Sequence, residues 1–117
     1  MLDRLEFTTT KKDGHTIIEI RGEMDVYNSF ELKNLMEELS QNGSTKFILK
    51  MGALSYIDSS GLGALINQQM RLQKSGGEMF LVSLSDQVRS VLELTKMHSF
   101  FKISGSENEA LSASSAA

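Results

Sequence analysis

The chain has no cysteine, no proline and no tryptophan among its 117 residues. Without cysteine there is no disulfide, no thiolate metal site and no cysteine nucleophile. The missing proline carries no functional reading. Long apolar runs are also missing: no stretch approaches the ~20 consecutive residues that a membrane-spanning helix needs. The N-terminal "MLDRLEFTTTKK" lacks the apolar core of a signal peptide. The expectation is a cytoplasmic protein with no membrane partner. Excess positive charge is absent too, with 12 Lys and Arg against 15 Asp and Glu and a net charge of −3. That balance leaves no electrostatic footprint for nucleic acid, and a partner carrying a basic patch fits better.

What is present is ordinary for a soluble globular protein: 40% hydrophobic and 23% charged residues, on a length suited to one domain. "LEFTTT" at 5–10 and "TIIEIRG" at 16–22 read as strands, and the Asp13-Gly14 pair between them signals a hairpin turn. A helix is expected from about Asn28, where Asn28 and Glu31 have capping-box spacing. Leu32, Leu35, Met36 and Leu39 share its apolar face, and "NGS" at 42–44 ends it. "KFILKM" at 46–51 suits a buried central strand. A second helix over about 60–74 packs through Leu62, Leu65, Ile66 and Gln69 or Met70. A strand at 78–84 follows, and Ser85 can cap a third helix with Val88, Val91, Leu92 and Thr95 on one face. "FFKI" at 100–103 reads as a last short strand or extended segment. From residue 104 the chain is small and polar, so 1–103 is taken as the domain and 104–117 as a flexible, dispensable tail. The order implies an α/β fold: a mixed sheet of four to five strands, an antiparallel hairpin followed by parallel strands with right-handed crossovers, and helices mainly on one face.

The segment "YIDSSGLGAL" at 56–65 places Asp58, Ser59 and Ser60 where a strand gives way to a helix. The plain structural reading is that Ser59 or Ser60 caps the helix by accepting a backbone N–H. A hydroxyl there is also well placed to carry a phosphate, because unpaired N–H groups and the positive end of the helix dipole favour an anion. Gly61 and Gly63 leave room for another chain to approach. Self-contained catalysis is not expected. The two histidines, His15 and His98, fall at a hairpin turn and near the C-terminal end; "GLGAL" lacks the lysine of a P-loop, and G-x-S-x-G is absent. The protein is therefore read as a substrate for an enzyme that brings its own base and nucleotide, not as an enzyme. The residues alone do not choose between Ser59 and Ser60. Glu23 and Asp25 form a second acidic pair, but no third ligand is near in sequence, so no metal and no cofactor are expected. The seven methionines are read mostly as core packing.

"GEMDVYNSFEL", "LSYIDSSGLGAL" and "GGEMFLVSLSDQVRSVLELTKMHSFFKI" occur in that order over roughly residues 5–103. Together they resemble the anti-sigma-factor antagonists, small bacterial single-domain members of the STAS group. The resemblance implies a protein that binds an anti-sigma factor which is also a serine kinase, freeing the sigma factor. The kinase then uses ATP to phosphorylate the serine after the aspartate, here Ser59, and a metal-dependent serine phosphatase reverses the step. Asp25 matches the family's loop acid and Asp58 the acid before the serine. The partner surface is expected to comprise Glu23, Asp25, Asp58, Ser60, Gly61, Leu62 and Gly63, on a monomer or weak dimer. The chain departs from the pattern at Lys50, where an acid is common, at Gln87, where a proline is common, and in "KMHSF", which lacks a glycine after the third helix. Two other readings are a STAS scaffold or lipid-transport accessory subunit without a phosphate cycle, and a nucleotide-binding or hydrolytic domain.

Overall fold

In the computed structural model, residues 4–114 are described. Strands β1 (Glu6–Lys12) and β2 (His15–Met24) form an antiparallel hairpin. Its turn residues Asp13 and Gly14 both take positive φ, 52° and 79°, which is why Asp-Gly suits a two-residue connection here. Helix α1 (Ser29–Gln41), β3 (Lys46–Ile57), α2 (Ser59–Ser75), β4 (Glu78–Val82) and α3 (Asp86–Leu94) follow. A short 3-10 helix (His98–Phe100), β5 (Lys102–Ser104) and α4 (Glu107–Ala113) complete the order. The five strands lie side by side in chain order, β1 antiparallel to β2 and the others parallel. This is the mixed α/β sheet that the sequence predicts, with the fifth strand present.

Period-two alternation splits the apolar strand residues between two faces. Ile18, Ile20, Phe47, Leu49, Met51, Met79 and Leu81 join Leu32, Met36, Leu65, Leu72, Val88 and Leu92 of α1, α2 and α3 in the main core. Ile17, Ile48, Phe80 and Val82 point the other way, against Ala110 of α4. Gly22, with φ of 101°, sits where the Arg4 carbonyl presses in so closely that a Cβ would collide with it.

That second face corrects the reading of residues 104–117 as a frayed tail. Within the described residues the segment forms α4, and Ala110 is fully buried. Ser106 accepts the Glu109 N–H at 3.1 Å while Glu109 Oε2 accepts the Gly105 N–H at 2.8 Å, a reciprocal cap at the helix start. Lys50 pairs with Glu107 at 3.4 Å, so the lysine that departs from the family pattern helps seat α4. At the other end, Ser114 Oγ lies 2.7 Å from His15 Nε2 and donates to Glu78 Oε1 at 2.5 Å. The apolar signal is small, with Ala110 buried and Leu111 partly buried against this face. Residues 115–117 of the expected tail lie outside the described residues.

The turn after α3 is made without glycine. Lys96 takes φ of 59°, and the Met97 N–H reaches the Leu92 carbonyl at 2.9 Å. A lysine thus adopts the left-handed conformation that glycine adopts without steric cost.

Candidate functional site

The site forms where the C-terminal ends of β2 and β3 meet the starts of α1, α2 and α3. Parallel pairing brings Glu23 opposite Tyr56 and Met24 opposite Ile57. The loop after β2 and the β3–α2 junction therefore sit together, and the Asp58 N–H donates to the Met24 carbonyl at 3.3 Å.

At the junction, the cap is Asp58. Its Oδ1 accepts the Ser60 N–H at 2.9 Å and the Gly61 N–H at 3.0 Å, and the Leu62 N–H bonds the Asp58 carbonyl at 2.9 Å. The expectation that Ser59 or Ser60 caps α2 is corrected. A carboxylate at this position satisfies two orphan donors and meets the positive end of the helix dipole, so it displaces the weaker hydroxyl acceptors. Ser59 becomes the first helical residue, exposed, and among the described residues no hydrogen bond engages its hydroxyl. Ser60 is half-buried with its hydroxyl equally unengaged.

The loop 25–28 after β2 is held by its own polar groups and by the end of the strand. Asn28 Oδ1 accepts the Asp25 N–H at 2.8 Å, and Asn28 Nδ2 donates to the Glu23 carbonyl at 2.9 Å. Asp25 Oδ1 accepts the Tyr27 N–H at 2.9 Å. The capping box predicted for Asn28 and Glu31 does not form, because the Asn28 side chain turns back into the loop and makes no cap bond on α1. That use of Asn28 fixes where Asp25 and Tyr27 stand.

Of the expected surface residues, Glu23, Asp25 and Asp58 line one shallow hollow together with Val26, Tyr27 and Tyr56. Ser60 and Gly63 line the neighbouring groove between α1 and α2, with Phe30, Lys33 and Asn67. Ser59 lies in sequence between Asp58 of the first and Ser60 of the second. Gly61 and Leu62 face inward instead. A Cβ on Gly61 would lie 2.6 Å from Ile57 Cγ1 and 3.1 Å from the Met24 carbonyl oxygen, so this glycine lets α2 seat on β2 and β3, not an incoming chain. Leu62 is buried in the main core. Gly63 has open space around it, as expected of a surface position.

The sequence reading missed the apolar part of this surface. Tyr27 is 83% exposed, Val26 63%, Phe30 56% and Tyr56 42%. Val26, Tyr27 and Tyr56 share the hollow with the acids, and Phe30 lines the groove beside it. The available signal was "VY" inside the polar loop "EMDVYN", large apolar residues with no periodic partner. Of the two histidines, His15 begins β2 at the opposite end of the sheet, and His98 lies in the 3-10 helix after α3. Among the described residues no three His, Cys, Asp or Glu side chains cluster closely enough to hold a metal ion.

The model of the STAS domain family matches residues 6–110. The chain belongs to the STAS domain family. A relative from Staphylococcus aureus, named anti-sigma-B factor antagonist, is 27% identical over 106 residues, covering 90% of this chain and 98% of its own. The crystal structure of an anti-sigma factor antagonist from Mycobacterium paratuberculosis superposes with a TM-score of 0.84 at 21% identity, covering 95% of this chain and 94% of the other. The Bacillus cell fate determinant SpoIIAA, solved in its phosphorylated form, superposes with a TM-score of 0.68 at 22% identity, covering 92% and 97%. These two structures share the fold of this STAS domain. The segment carrying Asp58 and Ser59, the loop carrying Asp25 and the helix α4 up to Ala110 all fall inside the matched range.

Proposed function

We propose that this STAS domain is an anti-sigma-factor antagonist: its unphosphorylated form binds an anti-sigma factor that is also a serine kinase and frees the sigma factor, and phosphorylation of Ser59 ends that binding. The observation that carries the proposal is the cap. Because Asp58 takes the Ser60 and Gly61 N–H groups, the Ser59 hydroxyl is exposed and without an internal partner at the tip of α2. The names of the S. aureus relative and of phosphorylated SpoIIAA support the same reading.

The chemistry divides between two proteins. Ser59 Oγ attacks the γ-phosphorus of an ATP held by the kinase, ADP leaves, and the hydroxyl proton passes to a kinase base. This chain supplies the nucleophile on a fixed helix end. A phosphatase later hydrolyses the ester with a metal ion of its own. The phosphate brings a charge of about −1.5 to −2. The Ser60 and Gly61 N–H groups are already committed to Asp58, so the new charge stands beside a carboxylate and on a surface that also holds Glu23 and Asp25. Repulsion from acids of the docked partner, crowding, and the cost of stripping water from a phosphate that no free N–H here can satisfy weaken binding, with the fold retained. The exposed Tyr27, Val26, Phe30 and Tyr56 give the partner apolar anchors around the serine. Among the described residues no helix is long and apolar enough to cross a membrane.

The test is incubation with the cognate kinase and ATP, followed by site mapping. Wild type and Ser60→Ala should gain one phosphate, and Ser59→Ala none. Phosphate on Ser60 would overturn the assignment, and no phosphate on any variant would favour a STAS scaffold without a phosphate cycle.

A further inference from the structure

Strand β3 outruns its neighbour. It pairs with β4 only from Lys46 to Lys50, yet continues to Ile57. Backbone groups along that overhang, on the side away from β2, need partners other than a strand. Side chains at the start of α3 supply them. Ser85 Oγ donates to the Leu54 carbonyl at 2.6 Å while accepting the Val88 N–H at 3.3 Å. Further along, Gln87 Oε1 accepts the Ile57 N–H at 2.9 Å, and Gln87 Nε2 donates to the Ile57 carbonyl at 3.4 Å. A primary amide offers a donor and an acceptor side by side, as a strand's backbone does.

Ile57 immediately precedes Asp58, whose own N–H is held by Met24 on the β2 side. The chain entering α2 is therefore gripped from both flanks, by β2 backbone on one and by the Gln87 side chain on the other.

We infer that Gln87 is a positioning residue for the Ser59 site. By holding both polar groups of Ile57, it keeps Asp58 in place to cap Ser60 and Gly61, and so keeps Ser59 at the first position of α2. The functional consequence rests on the phosphorylation reading above; the structural one does not. Methionine matches glutamine in length and supplies neither bond. Glutamate keeps the acceptor for the Ile57 N–H but sets a carboxylate oxygen against the Ile57 carbonyl.

The experiment is amide hydrogen exchange, read residue by residue by NMR on the full chain of wild type, Gln87→Met and Gln87→Glu. In Gln87→Met, exchange at Ile57 should rise about tenfold, the scale set by losing one hydrogen bond, and Ser60 and Gly61 should follow several-fold. The Ile18 and Leu49 amides in the sheet should not change, which separates local release from general destabilisation. Gln87→Glu should fall between wild type and Gln87→Met. With the cognate serine kinase and ATP, Gln87→Met should lower kcat for Ser59 about tenfold and leave KM nearly unchanged, the scale set by misplacing a nucleophile that still binds. Unchanged Ile57 exchange in Gln87→Met would overturn the clasp. Faster Ile57 exchange with unchanged Ser60 and Gly61 exchange would overturn the positioning role, whether or not the kinase reaction occurs. Absence of phosphate on wild type itself would defeat the phosphorylation reading alone, and the Ser60 and Gly61 amides would still decide whether Gln87 positions the start of α2.

Discussion

Replacing Asp58 separates the two jobs that an Asp-Ser-Ser sequence can do at a helix start. The carboxylate accepts two backbone N–H groups at 2.9 and 3.0 Å, while neither serine hydroxyl accepts one. Loss of an N-cap costs ~0.5–2 kcal/mol, and a carboxylate adds roughly 0.3–1 kcal/mol through the helix dipole. With two amides served by one oxygen, Asp58→Ala belongs at the upper end, about 2 kcal/mol. At roughly 3–5 °C per kcal/mol for a domain of this size, Tm should fall by about 6–10 °C. Asp58→Asn keeps a neutral acceptor and should lose less than half as much. Ser59→Ala and Ser60→Ala should stay within about 0.5 kcal/mol of wild type, since no amide loses a partner. Paired thermal and urea melts of the four variants measure this directly. A drop for Ser59→Ala or Ser60→Ala as large as for Asp58→Ala would refute the assignment of the cap and return the serine hydroxyl to a structural role.

Three further outcomes follow from the packing and the surface. Truncation after Ser104 strips α4 from Ile17, Ile48, Phe80 and Val82. Re-exposing on the order of 100 Å² of apolar surface should cost about 2.5 kcal/mol, and an unchanged urea midpoint would contradict the packed helix. Gly61→Ala forces a Cβ to within 2.6 Å of Ile57 and should destabilise by roughly 1–3 kcal/mol. Gly63→Ala meets nothing and should stabilise α2 by up to ~1 kcal/mol, so equal effects at the two glycines would contradict the inward and outward assignment. Tyr27→Ala should leave Tm unchanged, because Tyr27 is 83% exposed, yet weaken anti-sigma binding about tenfold or more in a titration.

Much of the fold was legible because its signals are local. Asp13-Gly14 can hardly be other than a tight turn, and the Ser85 cap and the apolar faces of α1 and α3 follow ordinary spacing. What escaped were features that depend on neighbours. The apolar run of β3 ends at Met51, but the strand persists to Ile57 because β2 pairs with it through two register shifts and α3 side chains serve its free edge. α4 carries only Ala110 and Leu111 as apolar contacts, so hydropathy was silent, and the capping spacing of Ser106 and Glu109 was the signal available. At the site, the cluster Asp58-Ser59-Ser60 was visible, while the choice of cap was not. Any of the three can bond an N–H, and the backbone register set by Met24 and Gln87 decides that the aspartate does. No periodicity groups Val26, Tyr27, Phe30 and Tyr56, because loop, helix and strand bring them to one outward-facing surface only in the fold.

In the proposed switch, charge at Ser59 decides whether the partner binds. Two charges on Ser59 placed ~5 Å from one acidic group of the docked partner, at an effective dielectric of ~40, are repelled by roughly 3 kcal/mol. That corresponds to about a hundred-fold in affinity. Titrating the purified anti-sigma serine kinase with wild type, Ser59→Ala, Ser59→Asp and the phosphoprotein tests it. Wild type and Ser59→Ala should bind alike, Ser59→Asp about tenfold more weakly for its single charge, and the phosphoprotein about a hundred-fold more weakly. Equal affinities across all four would contradict the account and leave Ser59 as an exposed helix residue with no part in the switch.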